Sequence, residues 1–191
     1  RLVPLVLLDM LALLLTKVED TGRWPTALAR GFITLVPKGE GAHPLKLRPL
    51  SVLSLIYRAC GGIRVAEAMP WQEQWIHPQA YAYGRNQSST DATLLIGTML
   101  EHARIMCKSI AGAATDYAKC FDLIPQQISL EAAKRKGMYL GIIRAMEGMH
   151  RDLRRAFKVN GCLGSYFEAT NGILQGCAVS SIFINALMTI W

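Results

Sequence analysis

Acidic residues are the scarce component of this 191-residue chain. Fourteen Asp and Glu stand against 21 Lys and Arg, a formal net charge of +7, and no carboxylate follows Glu168. Charged residues of both signs make up 18%, below the roughly one quarter of an average soluble domain. Hydrophobic residues make up 51%, and mean hydropathy is +0.22. That composition excludes a disordered chain, which has too little apolar surface to offset the entropy of ordering. It also implies some apolar surface that another segment or a partner covers. A long apolar run is lacking too. The stretch Leu2 to Leu15 is 14 residues, holds Pro4 and Asp9, and falls short of the ~20 residues a membrane-spanning helix needs. No small-x-small cleavage site follows it and no Met starts the chain, so it reads as a buried helix inside a larger protein rather than a secretory signal.

Paired cysteines are absent as well. Cys60, Cys107, Cys120, Cys162 and Cys177 are odd in number and form no CxxC, and the four His residues (43, 77, 102, 150) add no zinc-ligand spacing. Free thiols in a reducing, intracellular setting are the expectation. No internal repeat is present.

The charge that is there is unevenly placed. Residues 23–64 hold seven basic residues against Glu40 alone, a net +6. Residues 134–158 hold eight against Glu147 and Asp152, again +6. One such residue is ordinarily a solvated side chain; two blocks of this density point to a polyanion whose phosphates they neutralise.

Local signals divide the chain into elements. A leucine-rich helix runs from about Leu5 to Val18 and breaks at Gly22, and Pro25 starts a short helix to Arg30. Gly31–Val36 and Leu45–Leu50 read as strands of a hairpin, with the turn-rich segment 38–44 between them. Ser51 or Ser54 caps a helix towards Met69, and Pro70 and Pro78 bracket a Trp-rich piece. Thr90-Asp91 caps a helix to about Cys107. Residues 112–116 end a buried strand. Pro125 opens a helix that Gly137 closes, a second spans Tyr139 to Arg151, and Arg155–Asn160 with Ser165–Ala169 form a second hairpin. An apolar helix from Ala178 to Ile190 follows. Strands arranged in hairpins rather than βαβ units predict an α+β fold over a doubly wound sheet.

Two segments carry chemistry. Ala113-Ala-Thr-Asp116-Tyr-Ala-Lys119-Cys-Phe121-Asp122 places a carboxylate at the end of an apolar run, where a buried charge requires a cation or a metal; pairing with Lys119 or capping the next turn explains Asp116 equally well. Asn171-Gly-Ile-Leu-Gln175-Gly176-Cys177-Ala-Val-Ser180 has glycines that permit close backbone approach to a ligand and an amide that can bond it. A glycine-rich turn before a capped helix is the plainer alternative.

Taken in order, these segments and the basic hairpin resemble the reverse transcriptase domain of the non-LTR (LINE-like) retrotransposon type. Leu35-Val-Pro-Lys38 and Leu47-Arg48-Pro-Leu-Ser51 look like the fingers motif, and Tyr83-Gly-Arg85 to Ala92 resembles the loop and helix that follow it. The Asp116–Asp122 and Gly172–Ser180 segments are similar to two successive palm motifs. The resemblance covers about residues 23–191. After the N-terminal apolar helix (1–22), it implies a fingers-like region (23–109) and a partial palm (110–191) of a right-hand polymerase.

The resemblance further implies RNA-directed DNA polymerase activity with an RNA template, a DNA primer and dNTPs, and no membrane. Mg²⁺, or Mn²⁺ in its place, would be held by Asp116 and the main-chain carbonyl of Tyr117. Lys38 and Arg48 would meet the triphosphate. Phe121 would lie against the sugar and exclude a 2′-hydroxyl, and Gln175 and Gly176 would shape the nucleotide pocket. Lys119, Asp122 and Arg85 would support it. The family's aromatic-x-Asp-Asp motif does not occur in these 191 residues, so the chain is expected to be inactive without further palm and thumb sequence of the same polypeptide. A non-catalytic nucleic-acid-binding remnant of a decayed element and a group II intron maturase-like relative are the alternatives.

Overall fold

A computed structural model describes residues 4–37 and 47–190. Helix α1 (Leu5–Thr21) ends at Gly22, whose left-handed backbone (φ 64°) returns its N–H to the Val18 carbonyl. Strands β1 (Arg30–Pro37) and β2 (Leu47–Val52) pair antiparallel, with Val36 opposite Arg48 and Leu35 opposite Pro49. The hairpin arms are therefore those expected, while the segment between them, with Lys38, lies outside the described residues. Helix α2 (Leu55–Gln72) starts at Ser54, whose hydroxyl accepts from the Tyr57 N–H at 3.2 Å. It continues through Pro70 instead of stopping at Met69. Helix α3 (Ser89–Ile105) starts one turn-position before the expected cap, because Ser88 and Asp91 bond each other's backbone reciprocally.

After the one-turn helix α4 (Cys120–Leu123) come α5 (Gln126–Arg135) and α6 (Leu140–Asp152), separated at Gly137 (φ 85°). Strand β3 (Arg154–Val159) follows, then the short β4 (Cys162–Leu163) and β5 (Phe167–Glu168), and helix α7 (Val179–Ile190). The sheet order is β2-β1-β3-β4, with β5 also on β3. Strands β4 and β5 return antiparallel on β3 as the second hairpin, but β3 itself lies parallel to β1. The α+β expectation is compatible with the mixed sheet and seven helices of the described residues; the purely hairpin arrangement is not what forms. The parallel pair sets Arg30 opposite Arg154 and Thr34 opposite Lys158, which joins the two basic blocks of the sequence in one sheet.

The core lies among α2, α5, α6 and α7. Met149, Phe183 and Ala186 are wholly buried there, and Trp24 donates its indole N–H to the Ala145 carbonyl at 2.7 Å. Gly148 lets α6 come so close to the end of α1 that any Cβ would overlap the Gly22 carbonyl oxygen.

Two expectations fail. Helix α1 is not buried along its length: Leu5, Val6, Leu8 and Leu13 are exposed, Leu14 and Leu15 are half-buried against the core, and only Val18 and Glu19 are fully covered. Its last turn is anchored instead, by Arg64, which pairs with both Glu19 carboxylate oxygens at 2.6 and 2.9 Å, and by Arg144, which bonds the Glu19 carbonyl at 2.9 Å. Nor do residues 112–116 form a buried strand. They are exposed and carry no regular secondary structure, with no ladder among the described residues. An unpaired strand cannot satisfy its backbone N–H and C=O groups away from water, so it stays at the surface.

Candidate nucleotide and nucleic-acid site

The glycine-rich segment before α7 is stitched to two distant pieces of backbone. Gly172 (φ 84°) donates its N–H to the Ile124 carbonyl at 3.1 Å, and Ile173 donates to the Phe121 carbonyl at 2.8 Å. Gln175 accepts from the Ser51 N–H of β2 at 2.9 Å. A Cβ at Gly172 would lie 2.9 Å from the Asp122 carbonyl oxygen, and one at Gly176 (φ 106°) 2.7 Å from that of Ser51. These two glycines thus serve close approach of the chain to itself, and Gly176 also lines the neighbouring cleft. Gln126 adds a side-chain bond to the Gly172 carbonyl at 3.0 Å.

The result is that the Asp116–Asp122 segment, β2 and the Gln175–Gly176 turn surround one cleft of about 1370 Å³. Arg48, Asp116, Tyr117, Lys119, Phe121, Asp122, Gln175 and Gly176 all line it. Eight of the ten residues singled out in the sequence therefore converge. Arg85 is exposed and is not among the lining residues, and Lys38 lies outside the described residues.

Within the cleft the groups differ in their surroundings. Asp116 is exposed, not the buried carboxylate expected from its apolar lead-in. Lys119 has left-handed backbone (φ 50°, ψ 41°) and precedes α4 as its N-cap. Phe121 is half-buried. Asp122 accepts from the Gln175 side-chain amide at 3.0 Å, so one of its oxygens is engaged in holding the two segments together. Burial, and secondarily the Asp116 charge, raises the pKa of the Cys120 thiol, which keeps it protonated near neutrality.

Further residues to which the sequence reading gave no role at the site also line this region. Arg58 and Tyr83 reach the cleft from α2 and the following loop. Phe157 borders both the cleft and an adjoining chamber of about 210 Å³ that Arg155 also lines. The period-2 alternation of β3 puts Arg155 and Phe157 on one face, but nothing local says which face meets the cleft.

Among the described residues no group of three or more His, Cys, Asp or Glu is placed to hold a metal ion, and no helix is long and apolar enough to cross a membrane. Asp116 and Asp122 are the carboxylates among the cleft's described lining, Asp122 Oδ1 is taken by Gln175, and a two-ion site needs several free ones. The residues present thus do not by themselves fit a pair of divalent ions.

No family model matches the chain. It is similar to the "Retrovirus-related Pol polyprotein from type-1 retrotransposable element R2" of Nasonia vitripennis, 24% identical over 168 residues, covering 87% of this chain and 16% of that protein. The corresponding R2 protein of Popillia japonica is 25% identical over 169 residues, covering 87% and 24%. The "Transposon TX1 uncharacterized 149 kDa protein" of Xenopus laevis is 26% identical over 170 residues, covering 87% and 13%. The chain spans less than a quarter of the length of each. These likenesses, low in identity but extending over most of the chain, support a retrotransposon-derived protein.

Proposed function

We propose that this chain is the fingers and part of the palm of an RNA-directed DNA polymerase. The observation that carries the reading is the convergence, in one cleft, of Arg48, Asp116, Phe121 and the Gln175–Gly176 turn from segments up to 128 residues apart. Similarity to Pol polyproteins of retrotransposable elements supports it independently.

In this reading Arg48, with Lys38 of the same hairpin, neutralises the triphosphate of the incoming nucleotide. Guanidinium and ammonium groups fixed beside a leaving pyrophosphate stabilise charge that grows as the bond breaks. The Phe121 ring occupies the space a ribose 2′-hydroxyl would need, so the site takes a deoxynucleotide. Gln175 and Gly176 form the wall of the pocket next to the template, held in place by the bonds to Asp122 and Ser51. Asp116 is the carboxylate this chain contributes towards Mg²⁺ or Mn²⁺, with the Tyr117 carbonyl as its companion. The remaining carboxylates come from outside residues 1–191, which contain no adjacent Asp-Asp pair.

The test is primer extension by a longer polypeptide that joins this chain to an aromatic-x-Asp-Asp segment. Asp116→Asn should lower dNTP incorporation by about 10³-fold or more, equivalent to ~4 kcal/mol of barrier. The 191-residue chain alone should bind an RNA–DNA hybrid and extend nothing. Full activity in the Asp116→Asn polypeptide would overturn the catalytic assignment. Binding without extension by the longer polypeptide would favour a nucleic-acid-binding remnant.

A further inference from the structure

The chamber beside the cleft has a composition of its own. Phe157 and Phe167, on β3 and β5, stack with ring centroids 5.5 Å apart and planes inclined by 22°. Their relative exposures, 43% and 36%, are high for phenylalanine. The Arg155 guanidinium stands 5.9 Å from the Phe167 ring centre. Its Nε is buried without a hydrogen-bond partner and it forms no ion pair among the described residues. Asp122 offsets part of that charge but is not within ion-pair distance, and its Oδ1 is taken by Gln175. Arg155 is half-buried, with Nε the donor left buried and open; such a donor is costly to leave unmatched, and an anion is what would match it. An exposed aromatic pair beside an unmatched cation is the pairing that binds unpaired nucleotides, through base stacking and phosphate contact together.

We infer that Phe157 and Arg155 form a subsite for a single-stranded nucleic acid, one base stacking on Phe157 and a backbone phosphate bonding Arg155. The subsite rests on the polymerase reading, because Phe157 also borders the nucleotide cleft, and the strand that leaves such a cleft unpaired is the template ahead of the primer end. It recognises any base, since a ring face has no donor or acceptor pattern to match.

The experiment compares binding of the full chain to a blunt RNA–DNA hybrid and to the same hybrid with a 5′ single-stranded template extension, by fluorescence anisotropy. The wild type should prefer the extended form. Phe157→Leu keeps an apolar side chain of similar reach and should erase about tenfold of that preference, read as the ratio of the two affinities; Phe157→Trp should restore it. Arg155→Gln should lower the salt slope for the extended form by about one. Free dNTP should not compete for the extension. Equal affinity of the wild type for both hybrids, or an unchanged preference in Phe157→Leu, would overturn the subsite and leave the polymerase reading standing. Competition by free dNTP would overturn it too, showing a mononucleotide site. Failure to bind either hybrid would overturn both.

Discussion

The Gln175 side-chain amide donates to Asp122 Oδ1 at 3.0 Å, joining two segments 53 residues apart in the chain. Asp122 also passes its carbonyl oxygen within reach of Gly172, so backbone and side chain fix the same junction. Gln175→Leu should leave a half-buried carboxylate oxygen unmatched and destabilise the chain by about 1–3 kcal/mol. Urea unfolding of Gln175→Ala, Asp122→Ala and the double variant should give a coupling of about 1 kcal/mol or more. Strict additivity would show that the bond holds nothing together.

Arg30 and Arg154 face each other across the parallel β1–β3 pair, a like-charge placement that opposes folding. The Arg154–Glu168 bridge at 3.0 Å is more than half exposed on both sides and offsets little. A bound polyanion removes that repulsion. Affinity for an RNA–DNA hybrid should therefore fall steeply with salt, and Arg30→Gln should shallow the log–log slope by about one. A flat salt response would remove the basic sheet from the interface.

Phe121 is half-buried at the cleft wall. In a longer polypeptide that extends primers, as proposed above, Phe121→Val should relax discrimination of dGTP over GTP by roughly 10- to 100-fold, as expected when a steric rejection of about 1–3 kcal/mol is lost. Single-nucleotide incorporation with each substrate measures it. Unchanged discrimination would place the sugar elsewhere.

His150 is buried on α6, and neither ring nitrogen has a hydrogen-bond partner among the described residues. Burial, helped by the nearby Arg155 charge, depresses its pKa from 6.5 to about 4. Between those values the unfolded chain binds a proton that the folded chain does not, so stability is retained above pH 6.5 and falls as the pH drops towards 4. The full effect is about 3 kcal/mol. Thermal melts of His150→Leu should lose that part of the acid sensitivity with the neutral-pH Tm unchanged or raised. An identical pH profile in the variant would show that His150 does not titrate on folding.

What the sequence by itself determined is local. Pro125 and Gly137 bracket α5 and Ser54 caps α2, because caps, prolines and glycines act on backbone groups within a turn or two of themselves; for α3 the expected Thr90-Asp91 cap gave way to Ser88 with Asp91. The β1–β2 hairpin was legible for the same reason, as were the two segments that converge on the cleft. Tertiary structure decided the rest. The parallel pairing of β1 with β3, separated by more than 110 residues, has no local signature, yet it sets the two basic blocks side by side in one sheet. The exposure of α1 and of Asp116 followed from which surfaces found partners, and an apolar run cannot announce whether a neighbour covers it. Arg155 and Phe157 share a strand face by simple alternation, but only the packing of that sheet against the Gln175 turn turned the face towards the cleft.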